Sequence, residues 1–493
     1  MPDRILNISG NVEHSRLRTR VEGFDRLLDG GLLAGDAYLV SGGPGTGKTT
    51  LGNQLAFQHA AAGDSAVIFM LQTEPHEWML AHLGGFRFVR PELINKRIHY
   101  ISLLRQIETD GLPGVLQAIQ QAVREHNASL IVLDGAAILE AIYNSNGNVS
   151  SSQGRFVRDL QARAAMLNCT CVLLSDRHAQ ATLAPHVDGV IELDYEPVDS
   201  RDARWIRVAK QRGARHLSGR HEFIIDENGI VVYPRLEAVA GRDLPRWEGS
   251  AQRMSTGVDG LDRMLDGGVV EGSTTAVFGT PGIGKTLLNL QFLGAGAMLG
   301  ETGLHVTFHE TEGALLALSR RLGLPYGDCL SNGCLTVKWQ PALERSPDGW
   351  AWSVLGAVDE IRPTRLTIDA FTDVARMFAV PQRQTSFGVA FSNELRNRGV
   401  TTLVNLEIDS FVSQTVDFPV PRISPMIDSG ILMRSVEVDS SLRRMVSVMK
   451  HRQSWFDSTI REFAIGQGGI SIGARFDASG LLTGSAEADS HHS

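Results

Sequence analysis

Cysteine is scarce in this sequence and irregularly spaced. Among its 493 residues only four are cysteine: Cys169, Cys171, Cys329 and Cys334. A disulfide framework needs more cysteines, and a paired zinc site needs regularly spaced ones. We therefore expect reduced thiols that lie in cores or loops.

The sequence also lacks the apolar runs that direct a chain into or across a membrane. No segment reaches the roughly 18 uninterrupted apolar residues of a membrane span. The first ten residues, MPDRILNISG, contain no long apolar core followed by a small-residue cleavage site. We expect a cytoplasmic location and no membrane partner.

Positive charge is not in excess. There are 47 Lys and Arg residues against 55 Asp and Glu, which gives a formal net charge of -8. Because nucleic-acid affinity depends on basic residues that neutralise phosphates, nucleic acid is not the expected partner. A recombinase or helicase is disfavoured for the same reason. The 43% hydrophobic content is sufficient for two or three globular cores.

One long segment occurs twice. TRVEGFDRLLDGGLLAGDAYLVSGGPGTGK at 19–48 matches TGVDGLDRMLDGGVVEGSTTAVFGTPGIGK at 256–285 without gaps, at a constant offset of 237 residues. A repeat of this period has the size of a domain. We predict a first domain over 14–235, a linker over 236–253, a second domain over 254–475 and a flexible tail over 476–493.

Each copy contains a phosphate-binding sequence between an apolar run and a helical pattern. GGPGTGKT and GTPGIGKT both satisfy G-x-x-x-x-G-K-[ST]. The glycines let backbone N–H groups close around phosphate oxygens, and the lysine neutralises phosphate charge. A glycine-rich turn without nucleotide is the alternative, and it would have to occur twice. The predicted nucleotide-binding residues are Gly42, Gly45, Gly47, Lys48, Thr49 and Thr50 in the first copy, and Gly279, Gly282, Gly284, Lys285, Thr286 and Leu287 in the second.

An aspartate ends an apolar run at nearly the same distance after each loop. SLIVLD ends at Asp134 and RLTID ends at Asp369. Magnesium bound with ATP needs an acidic group held rigidly near the phosphates, together with the loop hydroxyl. One such aspartate is a weak signal, and the repetition strengthens it. We predict that Thr49 and Asp134, and likewise Thr286 and Asp369, bind Mg²⁺.

Further apolar runs alternate with helical patterns. They are AVIFML near residue 66, CVLLS near 171, GVIEL near 189 and TLVNLE near 402. Such a series is typical of α/β domains in which helices flank a mostly parallel sheet.

These features together resemble the KaiC family of RecA-like ATPases over almost the whole chain. The resemblance implies two tandem RecA-like P-loop domains, hexameric rings, and ATP held between neighbouring subunits. The family also places a Lys-x-Arg-Gly sequence near each domain's end, where it reaches the neighbour's nucleotide. Lys210 and Arg212 match this motif; Lys450 and Arg452 match it with Gln453 in place of glycine. Solvated surface charges are the alternative for each pair.

The resemblance is incomplete at the catalytic carboxylates. The family carries a Glu-Glu pair after the P-loop helix, where the first carboxylate polarises the attacking water or hydroxyl. The second copy has His309 followed by Glu310, and the first reads LQTEP, in which Glu74 substitutes only if the register slips. His309 either acts as a base near neutral pH or is a polar strand residue. We expect slow turnover.

Some family members phosphorylate adjacent Ser and Thr residues in their second domain. Here Ser424 is followed by Pro425, which has no hydroxyl. Three functions therefore remain open: a slow ATPase whose nucleotide state controls assembly or the binding of an unidentified regulatory protein, a serine/threonine autokinase, and a non-hydrolysing ATP-dependent scaffold.

Overall fold

The computed structural model describes most of the chain. The described residues are 15–71, 83–136, 149–198, 201–240, 248–324, 326–341, 346–408, 423–438, 441–452 and 454–476. The chain divides into two compact units, residues 1–239 and 240–493.

The first unit is built on a nine-stranded sheet and a small two-stranded one. Its strands are β1 Arg16–Leu17, β2 Leu32–Leu33, β3 Ala37–Gly42, β4 Ala66–Met70, β5 Ile98–Ser102, β6 Leu130–Asp134, β7 Thr170–Ser175, β8 Gly189–Val198, β9 Arg201–Gln211, β10 His221–Asp226 and β11 Gly229–Tyr233. Its α-helices are Phe24–Leu27, Lys48–Ala61, Leu104–Glu125, Val149–Met166, Arg177–Leu183 and Leu236–Val239, with 3-10 turns at Pro91–Leu93 and Ala184–His186.

The second unit repeats this plan. Its strands are β12 Arg253–Met254, β13 Val269–Val270, β14 Thr274–Gly279, β15 Gly303–Thr307, β16 Leu335–Trp339, β17 Arg365–Asp369, β18 Thr401–Glu407, β19 Ser429–Val438, β20 Ser441–His451, β21 Arg461–Gly466 and β22 Gly469–Arg475. Its α-helices are Asp259–Met264, Lys285–Met298, Glu312–Leu322, Tyr326–Ser331, Pro347–Ile361, Phe371–Arg376 and Gln384–Asn397, with a 3-10 turn at Pro381–Arg383.

The two large sheets have the same strand order. The first runs β5-β4-β6-β7-β3-β8-β9-β10-β11 and the second β16-β15-β17-β18-β14-β19-β20-β21-β22. The first sheet is parallel from β5 to β8 and antiparallel from β8 to β11. The second sheet repeats that division. The prediction of two tandem α/β domains with mostly parallel sheets is confirmed.

Alternate strand residues of the first sheet pack into different cores, because successive side chains of a strand point to opposite faces. Tyr38 and Val40 lie in one core with Leu51 and Leu55 of the P-loop helix. Leu39 lies in the other core, which includes residues of the helices Leu104–Glu125 and Val149–Met166. Burial on both faces accounts for the continuous apolar runs of these strands.

The cysteines agree with the expectation of free thiols in cores or loops. All four cysteines are free; three are buried and Cys334 is partly exposed. Within the described ranges, no helix combines the length and apolar character that a bilayer crossing requires.

The second sheet offers a test of how core and surface leucines differ. Leu403 on β18 is 0% exposed, whereas Leu442 on β20 is 76% exposed. We expect Leu403→Ala to lower the free energy of unfolding by about 2–5 kcal/mol, because it removes buried methyl groups and leaves a cavity. Leu442→Ala is the control and should change it by less than about 0.5 kcal/mol. Denaturant unfolding of both variants measures the difference, and equal effects would contradict the core assignment.

Candidate nucleotide-binding sites

The first phosphate-binding loop joins β3 to the helix Lys48–Ala61. A Cβ atom at Gly42 would lie 2.6 Å from the carbonyl oxygen of Leu193, so this strand end requires glycine. Gly47 has φ 102°, and a Cβ atom there would lie 2.7 Å from Ile225 Cδ1. The loop therefore turns tightly into the N-terminus of the helix, where free N–H groups favour phosphate.

The second loop has the same geometry between β14 and the helix Lys285–Met298. A Cβ atom at Gly279 would lie 2.8 Å from the carbonyl oxygen of Met433. Gly282 and Gly284 have φ 75° and 120°; in the first loop Gly45 has φ 72°. Both loops thus present the backbone of a phosphate-binding turn.

Each loop lysine lies over its own loop. Lys48 Nζ donates to the carbonyl oxygens of Gly42 and Gly43 at 2.7 and 2.8 Å. Lys285 Nζ makes the corresponding two hydrogen bonds at 2.9 and 3.0 Å. An ammonium group in this position can neutralise phosphate held by the loop.

An acidic residue that the sequence analysis did not assign faces each lysine. Asp176 Oδ1 lies 3.6 Å from Lys48 Nζ, and Glu407 Oε1 lies 3.9 Å from Lys285 Nζ. Asp176 follows β7 and Glu407 ends β18, the strands that pair beside each P-loop strand. The signal was present in the sequence, since each acid comes at the end of a largely apolar run, CVLLSD or TLVNLE.

The predicted magnesium ligands are adjacent in both units. Thr49 Oγ1 donates to Asp134 Oδ2 at 2.9 Å, and Thr286 Oγ1 donates to Asp369 Oδ2 at 2.6 Å. Hydroxyl and carboxylate oxygens are the donors that Mg²⁺ prefers, and its remaining positions are filled by phosphates and water. The residues present therefore fit Mg²⁺ bound with ATP, and their role as ligands remains a prediction.

The second site is more enclosed. The side chain of Lys285 is 6% exposed, against 14% for Lys48. Burial lowers the pKa of Lys285, while the charges of Glu407, Asp369 and Glu310 oppose that shift. The surrounding carboxylates therefore help to keep the buried ammonium protonated.

Two residues predicted to bind nucleotide lie in the helix after the loop. Thr50 follows Thr49 in the first helix. Leu287 is 4% exposed and packs in the apolar core of the second unit. The side chain of Leu287 thus serves packing, and only its backbone remains for a nucleotide contact.

The neighbouring residues His309 and Glu310 have different exposure and different hydrogen-bond partners. His309 is 67% exposed at its side chain and its Nε2 lies 3.0 Å from Asp373 Oδ2. Glu310 is half-buried and accepts a 3.2 Å hydrogen bond from Thr307 Oγ1. Burial and then the charge of Asp369 raise the pKa of Glu310. Of the two candidates, Glu310 is the one whose pKa is raised by the charge of the predicted magnesium ligand Asp369.

The Lys-x-Arg pairs lie at the opposite edge of each sheet from their own P-loop. Lys210 precedes Gln211, which pairs with Gly189 at the amino end of β8, and β8 runs parallel to β3. Lys210 Nζ donates to the carbonyl oxygens of Ala184 and Val187 at 2.7 and 2.6 Å, and Arg212 is exposed. These cations therefore face away from the nucleotide site of their own domain.

The second unit repeats this placement. Lys450 pairs with Gly430 at the amino end of β19, and its Nζ donates to the carbonyl oxygens of Ser424 and Ile427 at 2.6 and 2.8 Å. Arg452 donates to the same Ser424 carbonyl at 3.1 Å. Glu74 and Gln453, which entered the sequence analysis, lie outside the described residues.

Replacement of Asp369 by asparagine tests the magnesium assignment. The amide would still accept the hydrogen bond of Thr286 but would carry no charge for the metal. In a chain whose first site is silenced by Lys48→Ala, we expect Asp369→Asn to reduce the gain in ATP affinity caused by Mg²⁺ by about tenfold or more. Asp359→Asn, at an exposed carboxylate paired with Arg398, is the control. An undiminished magnesium effect in Asp369→Asn would refute the assignment.

Comparison with known proteins agrees with this geometry. The family model described as "ATPase: KaiC" matches residues 17–237 and 254–476. The circadian clock oscillator protein KaiC of Picosynechococcus sp. is 26% identical over 468 residues, covering 93% of this chain and 89% of that protein. The Nostoc sp. protein of the same name is 27% identical, with 94% and 90% covered, and the circadian clock protein KaiC3 of Synechocystis sp. is 27% identical, with 95% and 94% covered. The chain therefore belongs to the KaiC family of RecA-like ATPases, with two ATPase domains in tandem.

Proposed function

We propose that both domains bind Mg²⁺-ATP and hydrolyse it slowly, and that nucleotide state controls assembly or the binding of a regulatory protein. The observation that carries this proposal is the threonine–aspartate pair beside a loop lysine, which occurs twice at matching positions. We keep 14–235 and 254–475 as the working limits of the two ATPase domains, and the cytoplasm as the location.

Within each domain, different residues would bind the phosphates and Mg²⁺. The loop backbone and Lys48 or Lys285 would hold the phosphates, and the Thr–Asp pair would hold Mg²⁺, which neutralises charge developing on the transferred phosphoryl group. In the second domain Glu310 would orient the attacking water. Slow turnover is supported by the exposed His309, whose ring is bonded to Asp373 and stands where the family has its first carboxylate.

Assembly into a ring, with six subunits as in the resemblance, would complete these sites. Lys210 and Arg212, and likewise Lys450 and Arg452, face away from the P-loop of their own domain. A nucleotide contact by these cations therefore requires a second chain. A trans-acting cation stabilises the charge of phosphoryl transfer.

Autophosphorylation is the second candidate function, and one contact favours it. Lys450 Nζ lies 3.0 Å from Ser424 Oγ, so the exposed serine lies beside the cations that would reach a neighbour's nucleotide. Pro425 leaves Ser424 as the single hydroxyl of this pair. The named relatives are clock proteins.

Lysine replacement tests nucleotide binding and distinguishes these functions. We expect Lys48→Ala and Lys285→Ala each to abolish ATP binding in its own domain, because the phosphate charge loses its partner. Bound ATP per chain should fall from two to one in either variant. Lys338→Ala, which replaces a lysine on the edge strand β16 of the second domain, is the control.

The same preparations report turnover. Phosphate release that is lost in one variant locates the faster domain, and label retained on the protein identifies the autokinase. ATP bound by wild type without either product would contradict the ATPase proposal and leave a nucleotide-dependent scaffold. Unchanged stoichiometry in both lysine variants would overturn the binding assignment itself.

A further inference from the structure

A polar cavity lies in the first unit, at the sheet edge opposite the P-loop. Its volume is about 340 Å³. Its walls include Asp64, Ser129 and Thr170, which precede or begin the parallel strands β4, β6 and β7. The P-loop follows the carboxyl end of β3 in the same parallel array. The cavity is therefore separate from the nucleotide site and is near the lower limit of small-molecule pockets, roughly 300–1,000 Å³.

Three arginines line this cavity, against one carboxylate. Arg16 is fixed by hydrogen bonds from its NH1 to the carbonyl oxygens of Leu28 and Gly31 at 2.9 and 3.2 Å. Arg18 and Arg20 are exposed, and the structure gives neither guanidinium a hydrogen bond or an ion pair within the described ranges. Arg16 NH2 also lies 3.9 Å from Asp29 Oδ2, so the positive potential that favours an anion comes from Arg18 and Arg20.

Other polar side chains also line the cavity. The side chain of His59 is 6% exposed, its Nε2 lies 2.7 Å from Ser129 Oγ, and its Nδ1 lies 3.9 Å from Asp64 Oδ2. Burial lowers the pKa of His59, Asp64 opposes this shift and the charge of Arg20 adds to it. Asn168 contributes an amide beside these groups.

The second unit fills the corresponding space with its own cation. Arg365, at the β17 position that Leu130 has in β6, is 1% exposed and pairs with Glu301 at 2.5 Å. Its NH1 donates to the carbonyl oxygens of Ser255 and Phe292 at 2.7 and 2.8 Å. A Cβ atom at Gly296, the equivalent of His59 by the offset of 237, would lie 2.4 Å from Arg365 Nε.

The two units therefore place different residues at equivalent positions around this cavity. The repeat aligns Arg18 and Arg20 of the first unit with Ser255 and Gly257 of the second. The second unit has a buried, paired arginine and no cations at the rim positions. The first unit has Leu130 in the core and two arginines, Arg18 and Arg20, at the rim of an open cavity. We call these two residues the rim arginines. The rim arginines are consequently not needed for the fold of this unit type.

We propose that the cavity of the first unit binds the phosphoryl group of a small phosphorylated molecule other than the ATP at the P-loop. Arg18 and Arg20 supply paired N–H donors that match phosphate oxygens. Ser129 and Asn168 in the cavity wall fix its orientation, and His59 holds Ser129 in place. The second domain, whose corresponding space is taken by Arg365, does not share this activity.

Calorimetric titration of the full-length protein with inorganic phosphate and pyrophosphate tests the proposal. A saturating non-hydrolysable ATP analogue with Mg²⁺ occupies both P-loops, so that they do not compete for the probe. We expect one additional phosphate or pyrophosphate per chain. Arg18→Ser and Arg20→Gly, which install the residues of the second unit, should each weaken this binding about tenfold or more.

Arg90→Ser removes an exposed arginine of the same unit outside the cavity and should leave the affinity unchanged. ATP turnover without added phosphate should be equal in all three variants, which shows that they fold. Absence of the additional site in wild type, or equal affinity in wild type and both rim variants, would overturn the proposal.

Discussion

The hydrogen bond between the loop threonine and the strand-ending aspartate is the contact on which the rest of each nucleotide site depends. It forms because the P-loop strand and the aspartate strand are parallel members of one sheet, so that their carboxyl ends reach the same edge. The helix after the loop then brings Thr49 to Asp134 and Thr286 to Asp369. The same register places an acid beside each loop lysine. Sheet topology thus places the loop lysine and the strand-ending aspartate of each unit at the same edge of the sheet.

The same topology explains why the proposed nucleotide contact of the Lys-x-Arg cations would need a second chain. Parallel strands place their amino ends at the edge away from the P-loop, and the hairpin from β8 to β9 returns the Lys-x-Arg cations to that edge. A single domain cannot bring them to its own phosphates without breaking its sheet. The proposed division between binding residues in one chain and cations from another would therefore follow from the fold.

The sequence predicted the parts of the site that depend on local pattern. The loops, the strand-ending aspartates and the apolar strands follow from spacing and periodicity, and the duplication makes each signal count twice. What the sequence did not assign depends on pairing between distant strands. Asp176 and Glu407 gain their position from β7 and β18 lying beside the P-loop strands, and the contact of His309 with Asp373 joins residues 64 apart in sequence. The contrast between Leu130 and Arg365 could also be recognised only in the folded structure. The two residues occupy equivalent buried positions, and the contacts of Arg365 are made by distant parts of the chain.

The most direct test of the account is whether two defective chains restore each other. One chain carries Lys48→Ala and lacks the first nucleotide site but keeps Arg212; the other carries Arg212→Ala and keeps the site without its trans-acting cation. Both also carry Lys285→Ala, so that only the first domain turns over ATP. When the two chains are mixed and allowed to assemble, the mixture should hydrolyse ATP faster than either chain alone. In the mixture, the intact first site of one chain can be contacted by Arg212 of the other. Turnover no higher than the average of the separate chains would contradict a catalytic centre built from two subunits.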